Sequence, residues 1–168
     1  RAVGAALRNA GVRYVDVSGA GGTSWIRVES LRGNARSQRL GDVFASWGIP
    51  TAASLAMLRD CDLELIASGG MRTGLEMAKA IALGARLCGA ALPVYRAYRE
   101  GGIDSAVALI DEFSDGLKVA MLLTGSRTLA DLSRQPLVVG ERLKAWIASA
   151  QPPRPAAPDD KDGHHNAE

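Results

Sequence analysis

Two glycine-rich segments, each following a short apolar run, constrain this chain more than any other feature. The run YVDV at residues 14–17 leads into SGAGGTSW at 18–25, and LELIA at 63–67 leads into SGGMRTG at 68–74. Glycines at the carboxyl end of a strand let backbone amides approach an anion, and the N-terminus of a following helix favours negative charge. Two such loops therefore predict one phosphate-bearing ligand held over a parallel sheet.

Composition excludes several other classes of partner. The 168 residues carry a formal net charge of only +2, with scattered basic residues and few aromatics, which argues against a nucleic-acid surface. Arg86 interrupts the longest apolar stretch, residues 81–94, so we expect no membrane partner. Cys61 and Cys88 lack the spacing of a metal site and lie in apolar patterns. They favour buried, reduced thiols in a cytoplasmic protein.

The order of apolar and polar segments predicts alternating strands and helices. A polar stretch at 26–46 interrupts this order and is interpreted as a long segment with a functional role that lies outside the core. We expect strands at residues 13–17, 48–51, 63–67 and 86–90, and helices at 2–9, 52–59, 73–83, 105–123, 126–132 and 140–149. Four such units fit half of an eight-fold (β/α)8 TIM barrel, and a doubly wound sheet fits the same periodicity.

The two ends of the chain differ in character. Arg1 opens inside a predicted helix, as expected for a chain that begins within a larger protein. Residues 1–150 are predicted to form the barrel part, and the Pro-rich, polar residues 151–168 a disordered tail. Both histidines, His164 and His165, lie in that tail, where a solvated segment is favoured over a loose metal site. Histidine-based acid–base chemistry is therefore not expected in the barrel part.

The second glycine loop supplies the main candidates for phosphate binding. The amides of Gly70, Met71 and Arg72 follow a strand end, and the Arg72 side chain would add charge or pack beside the ligand. Ala91 and Leu92 end the next strand and would give further amides to the same phosphate. Barrel phosphate sites recur in the loops after the last two strands. A tight strand-to-helix turn without a ligand explains the same glycines.

The first glycine loop offers hydroxyl groups and one large aromatic side chain. Ser18 and Thr23 would bond the ring edge or phosphate of a cofactor, or satisfy local backbone groups as turn residues. Trp25 would shape an apolar pocket or pack within the protein. Asp16 lies in an apolar strand and is either a functional carboxylate or a structural acid paired with an arginine or lysine.

In combination, these motifs resemble the type 2 isopentenyl-diphosphate isomerases. The resemblance rests on DVSGAGGTSW at 16–25, WGIPTA at 47–52 and IASGGMRTG at 66–74. Segment 117–125, residues 131–132 and residues 136–138 are similar to the C-terminal helices of that family. The resemblance spans residues 1–149 in order. Many FMN barrels share the glycine loop before Arg72, whereas its combination with SGAGGTSW is more specific.

The resemblance implies a (β/α)8 barrel that interconverts isopentenyl and dimethylallyl diphosphate with reduced FMN, Mg²⁺ and NADPH as reductant. It implies that the chain covers strands five to eight of a cytoplasmic, homo-oligomeric enzyme. The catalytic and metal-binding residues would then precede Arg1. A 2-hydroxy-acid oxidase and a non-catalytic barrel fragment are the alternatives. By position, Trp25 would contact substrate, and FMN would contact Ser18, Thr23, Gly70, Met71, Arg72, Ala91 and Leu92.

Overall fold

A computed structural model describes residues 1–150 as a three-stranded parallel sheet with helices. The predicted tail at 151–168 lies outside the described residues. The elements are α1 (Ala2–Asn9), β1 (Tyr14–Asp16), α2 (Trp25–Arg32), α3 (Ala35–Phe44), α4 (Thr51–Leu58), β2 (Glu64–Ala67), α5 (Gly74–Ala82), β3 (Ala85–Cys88), α6 (Leu92–Leu123), α7 (Leu129–Leu132) and α8 (Glu141–Ser149).

The sheet has the order β1–β2–β3, and one of its faces is covered by helices. Asp16 pairs with Ile66, and Ile66 pairs with Leu87, so one row crosses all three strands. Alternate strand residues point to opposite faces, which places Leu65 and Ala67 on the helix side. There they form the core with Leu55 of α4, Ala80 of α5, Ala85 of β3 and Met71 of the segment between β2 and α5. The expected parallel α/β architecture is confirmed.

One of the four expected strands, the one at residues 48–51, does not form. Pro50 makes only an isolated parallel bridge with Ala20, supported by a 2.8 Å hydrogen bond from the Ala20 amide to the Ile49 carbonyl. Proline has no amide hydrogen and cannot donate to a ladder on both sides. Consequently β1 pairs directly with β2, and the described residues form three parallel strands, where the resemblance implied four, strands five to eight.

The polar stretch at 26–46 is helical, which the sequence analysis did not predict. The Ser24 side chain caps α2 by accepting a 3.3 Å hydrogen bond from the Arg27 amide. The Asn34 side chain caps α3 by accepting a 3.0 Å bond from the Ser37 amide. Gly41 lets the two helices approach, because a Cβ there would collide with the Ser30 side chain. The stretch is therefore a helical hairpin inserted after the first glycine loop.

The remaining helices follow the expected positions with small shifts at their ends. The Thr73 side chain accepts from the Glu76 amide and the Glu76 carboxylate accepts from the Thr73 amide, which makes a capping box at the start of α5. Helix α6 begins earlier than predicted, and its backbone is non-helical at Gly101 and Gly102. Within residues 1–150, no helix is long and apolar enough to cross a bilayer.

The second face of the sheet and both of its edges are open. On that face Tyr14 and Leu87 are each 59% exposed, although both lie within strands. Strands β1 and β3 form the two edges of the described sheet. Exposed apolar strands of this kind are normally covered by further strands, which matches the expectation for part of a barrel.

Candidate functional site

The three segments that were predicted to bind phosphate emerge from the carboxyl ends of the three strands, which together are called the carboxyl edge of the sheet. The Val17 amide donates to the Ile66 carbonyl at 3.0 Å, and the Gly89 amide donates to the Ala67 carbonyl at 2.8 Å. These bonds keep the chain in register up to the first loop (residues 18–23), the second loop (68–72) and the third loop (89–92). In barrels, and in open α/β sheets, this carboxyl edge is where ligands bind.

The first and second loops pack directly against each other through backbone atoms. Gly70 has a φ of +101°, and a Cβ there would lie 2.7 Å from the Gly21 carbonyl oxygen. A Cβ on Gly22 would lie 2.8 Å from the Gly69 Cα atom. Both distances are shorter than real Cβ contacts allow. The glycines are therefore required for contact between the loops, in addition to any approach to a ligand.

Side chains also join the two loops. The Arg72 guanidinium donates to the Gly70 carbonyl at 2.8 Å and to the Gly21 carbonyl at 3.0 Å. The buried Thr51 hydroxyl, at the start of α4, is 2.7 Å from the Gly69 carbonyl and 3.1 Å from the Ser68 carbonyl. The sequence analysis did not single out Thr51. Its sequence signal is its place in the WGIPTA motif at 47–52, which was used only for the resemblance.

Asp16 bonds to Ser68 and to the first loop. Its Oδ1 atom accepts from the Ser68 hydroxyl at 2.6 Å and from the Ser18 amide at 2.9 Å. The second bond is that of an Asx turn, which supports the unusual φ of +33° at Ser18. Of the two alternatives for Asp16, the pairing with an arginine or lysine is not found within residues 1–150, where a hydroxyl and an amide donate to this carboxylate instead.

The amides of the second loop differ in their availability. Among residues 1–150, no acceptor is found for the amides of Gly70 and Met71. The Arg72 amide, in contrast, donates to Glu76 Oε2 at 2.7 Å, and the Thr73 amide donates to the same oxygen at 3.2 Å. The Glu76 carboxylate thus occupies the N-terminus of α5. An anion at this loop would therefore bind to the amides of Gly70 and Met71.

The third loop adds the N-terminus of α6. Ala91 is the N-cap residue of this helix, Leu92 is its first residue, and both are exposed. The first amides of a helix have no partner within it, so the Leu92 amide is available to an anion. A Cβ on Gly89 would lie 3.5 Å from the Ser68 Cβ, an ordinary contact. The second and third loops are therefore neighbours.

The residues predicted in the first loop lie above this edge with accessible side chains. Ser18 and Thr23 are exposed, and no bond of either hydroxyl is found within residues 1–150. Trp25 is the first residue of α2, and its side chain is 70% exposed. Phe44, the last residue of α3, and Trp47, three residues later, pack edge to face with ring centroids 6.1 Å apart, and both side chains are exposed.

Titratable groups give no second site in the described part of the chain. Its side chains contain no group of three or more potential metal ligands. Cys61 and Cys88 are both free and half-buried, and burial raises the pKa of the Cys88 thiol to about 11. Since the thiolate is the nucleophilic form, this shift makes Cys88 a poor nucleophile at neutral pH.

Solved structures with the same fold include enzymes of several activities. A GMP reductase from Trypanosoma brucei superposes with a TM-score of 0.56 at 18% identity, covering 85% of this chain and 34% of that one. An inosine 5′-monophosphate dehydrogenase from Legionella pneumophila gives 0.55 at 14%, covering 83% and 54%. A mandelate oxidase variant with an FMN adduct gives 0.54 at 21%, covering 83% and 59%. These likenesses confirm the expected (β/α)8 barrel class.

Sequence comparison gives closer relatives. The isopentenyl-diphosphate delta-isomerase of Methanothrix thermoacetophila is 42% identical over 142 residues, which are 82% of this chain and 40% of the relative. That of Sulfurisphaera tokodaii is 44% identical over 144 residues, or 83% and 39%. The resemblance to this group is thereby confirmed, and the chain spans about two fifths of the length of these relatives. The family profile described as FMN-dependent dehydrogenase matches residues 5–139. The chain therefore belongs to the FMN-dependent dehydrogenase family.

Proposed function

We propose that this chain forms the phosphate-binding part of an FMN site in an isopentenyl-diphosphate delta-isomerase. The observation that carries the proposal is the convergence of three loops at one sheet edge. There the amides of Gly70 and Met71 have no acceptor within residues 1–150, beside the N-terminus of α6. The relatives with more than 40% identity are named for this isomerisation, which supports this substrate over others in the family.

The donor set fits the terminal phosphate of FMN. A phosphate offers three oxygens that accept hydrogen bonds, and unpaired loop amides with a helix N-terminus are the usual protein ligands for it. Here Gly70, Met71 and Leu92 would donate amides, and Ala91 would form the wall between the second loop and α6. The exposed hydroxyls of Ser18 and Thr23 would contact the ribityl chain or ring edge from the first loop.

The proposed reaction moves a double bond within a prenyl diphosphate without net oxidation. When bound, reduced FMN would supply the proton donor and acceptor for this step, NADPH would be the reductant, and Mg²⁺ would neutralise the substrate diphosphate. This chain would fix the phosphate end of the cofactor and thereby its position above the sheet. Trp25, exposed at the start of α2, would provide an apolar wall beside the prenyl group. The remaining catalytic groups are assigned to the rest of the enzyme.

The proposal also includes the setting of the enzyme. We infer a cytoplasmic protein that acts as a homo-oligomer, and no nucleic acid or membrane takes part. The exposed aromatic side chains at and just after the end of α3, Phe44 and Trp47, the latter 76% exposed, support association through this surface. The open sheet edges would be covered by further strands of the same enzyme.

A direct binding experiment tests the cofactor assignment. The 168-residue chain would be titrated with FMN while flavin fluorescence is recorded, and Gly70→Val would be compared with Gly11→Val. Both glycines have positive φ, but only Gly70 lies at the site. Bound flavin is expected to lose fluorescence with the parent chain and with Gly11→Val, and not with Gly70→Val. Equal affinity of all three proteins would place the phosphate elsewhere.

A chimeric enzyme tests the isomerase assignment. The matched 142-residue segment of the Methanothrix thermoacetophila isomerase would be replaced by the corresponding part of this chain. We expect the chimera to convert isopentenyl diphosphate under reducing conditions with FMN and Mg²⁺. A chimera that binds FMN but oxidises 2-hydroxy acids instead would favour the oxidase alternative. A folded chimera with neither flavin nor activity would favour a non-catalytic fragment.

A further inference from the structure

The Arg72 side chain has an arrangement that the proposed function does not explain. Two nitrogens of its guanidinium donate to backbone carbonyls, one in its own loop and one in a loop 51 residues earlier in the chain. These acceptors, the carbonyls of Gly70 and Gly21, are neutral. A guanidinium that donates to both carbonyls joins the two loops through its fork of paired donors.

Both carbonyls belong to glycines whose backbone conformation is rarely adopted by other residues. Gly21 has a φ of +146° and Gly70 has a φ of +101°. Glycine carries a large conformational entropy in the unfolded state, so two such segments keep their shape only if other groups hold them. The planar guanidinium can bond to both at once because its donors form a fixed fork.

We propose that Arg72 is a positioning residue that holds the first loop (residues 18–23) against the second loop (68–72) before any cofactor binds. This inference rests on the proposed FMN site for its functional consequence. This pair of Arg72 hydrogen bonds, here called the clamp, maintains the loop conformation in which the amides of Gly70 and Met71 have no acceptor within residues 1–150.

Hydrogen–deuterium exchange of the ligand-free 168-residue chain tests the clamp. The reporter is the Ala20 amide in the first loop, which donates to the Ile49 carbonyl at 2.8 Å. Arg72→Met and Arg72→Lys would be compared with Arg99→Met, which alters an exposed arginine of α6. No ion pair or hydrogen bond of the Arg99 side chain is found in residues 1–150.

We expect exchange at Ala20 to rise by roughly ten- to a hundredfold in both Arg72 variants, the size expected for losing charge-assisted hydrogen bonds. Lysine fails because a single ammonium lacks the fork that spans both carbonyls. Exchange in α5 and α6, and in Arg99→Met, should stay unchanged. FMN affinity should fall in both Arg72 variants.

Two results would overturn the clamp. The first is unchanged exchange at Ala20 in Arg72→Met. The second is an Arg72→Lys variant in which the Ala20 amide exchanges as slowly as in the parent chain and FMN binds equally well. This would show that a positive charge at residue 72, without the fork of donors, is enough to hold the two loops together. Failure of the parent chain to bind FMN would refute the proposed function alone, because the exchange measurement needs no ligand.

Discussion

Replacing Gly70 by alanine tests the contact between the two glycine loops. The added Cβ would lie 2.7 Å from the Gly21 carbonyl oxygen and 2.8 Å from its carbonyl carbon, and the backbone φ of +101° is itself unfavourable for alanine. Gly11→Ala is a matched control. Gly11 has a φ of +84°, but nothing lies within 4 Å of the Cβ that alanine would add. The pair therefore separates the cost of the conformation from the cost of the collision.

The expected magnitudes follow from these two terms. A left-handed conformation costs an L-residue roughly 1–2 kcal/mol, and this destabilises both variants. Forcing an extra methyl group into closely packed surroundings adds roughly 1–3 kcal/mol. This second effect applies only to Gly70→Ala, because its new methyl group would collide with backbone atoms. The free energy of unfolding should therefore fall by about 1–2 kcal/mol in Gly11→Ala and by about 2–5 kcal/mol in Gly70→Ala.

Urea unfolding followed by far-ultraviolet circular dichroism measures both values. The denaturant midpoint should fall further for Gly70→Ala, with an unchanged slope. FMN affinity should fall only for Gly70→Ala. Equal destabilisation of the two variants would refute the reasoning, because it would show that the first loop does not lie against Gly70.

Three further outcomes are expected. Cys88 should react with a thiol reagent far more slowly than Cys61 at pH 8, because burial raises its pKa to about 11, and equal rates would contradict this. Gly74→Ala should lower the free energy of unfolding by roughly 1–3 kcal/mol, as its Cβ would meet the α6 backbone, and an unchanged urea midpoint would contradict that packing. A hydrogen bond from Thr128 lowers the pKa of Asp131. The ionised Asp131 carboxylate therefore stabilises the start of α7 at neutral pH, and this stabilisation is lost on acidification below about pH 4. Asp131→Asn should therefore flatten the acid side of the melting-temperature profile, and an unaltered profile would argue against it.

The sheet and its covering helices were predictable because their signals are local. Short apolar runs followed by glycine marked β1 and β2, and the capping box of Thr73 and Glu76 at the start of α5 is likewise a local pattern. Gly84, with a φ of +112°, ends the segment after α5 as expected for a glycine at that position. These elements need no knowledge of distant contacts.

The elements that were missed depend on contacts beyond the local pattern. The polar composition of 26–46 hid two helices, although Ser24 and Asn34 are regular N-cap residues that could have revealed them. The segment at 48–51 has the sequence pattern of a strand but lies beside the first loop. Within residues 1–150 its Pro50 forms only an isolated parallel bridge, with Ala20. Whether an extended segment finds a partner strand is decided by tertiary structure.

The structure brings the three predicted loops together at the carboxyl ends of the strands, but the contacts within this set were not predictable. Spacing alone cannot distinguish a glycine that admits a ligand from one that admits another loop. Gly21 and Gly70 face each other, and the bonds from Arg72 and Asp16 cross between the loops. These contacts join residues about 50 positions apart in the chain, so no local pattern records them.

Phosphorus-31 NMR of FMN tests the central claim most directly, because it observes the group that the three loops are proposed to hold. On titration with the 168-residue chain, the phosphate resonance is expected to shift and broaden, and the Gly70→Val variant should leave it unchanged. A resonance that stays sharp and unshifted with saturating parent chain would contradict a phosphate site at the carboxyl edge of this sheet.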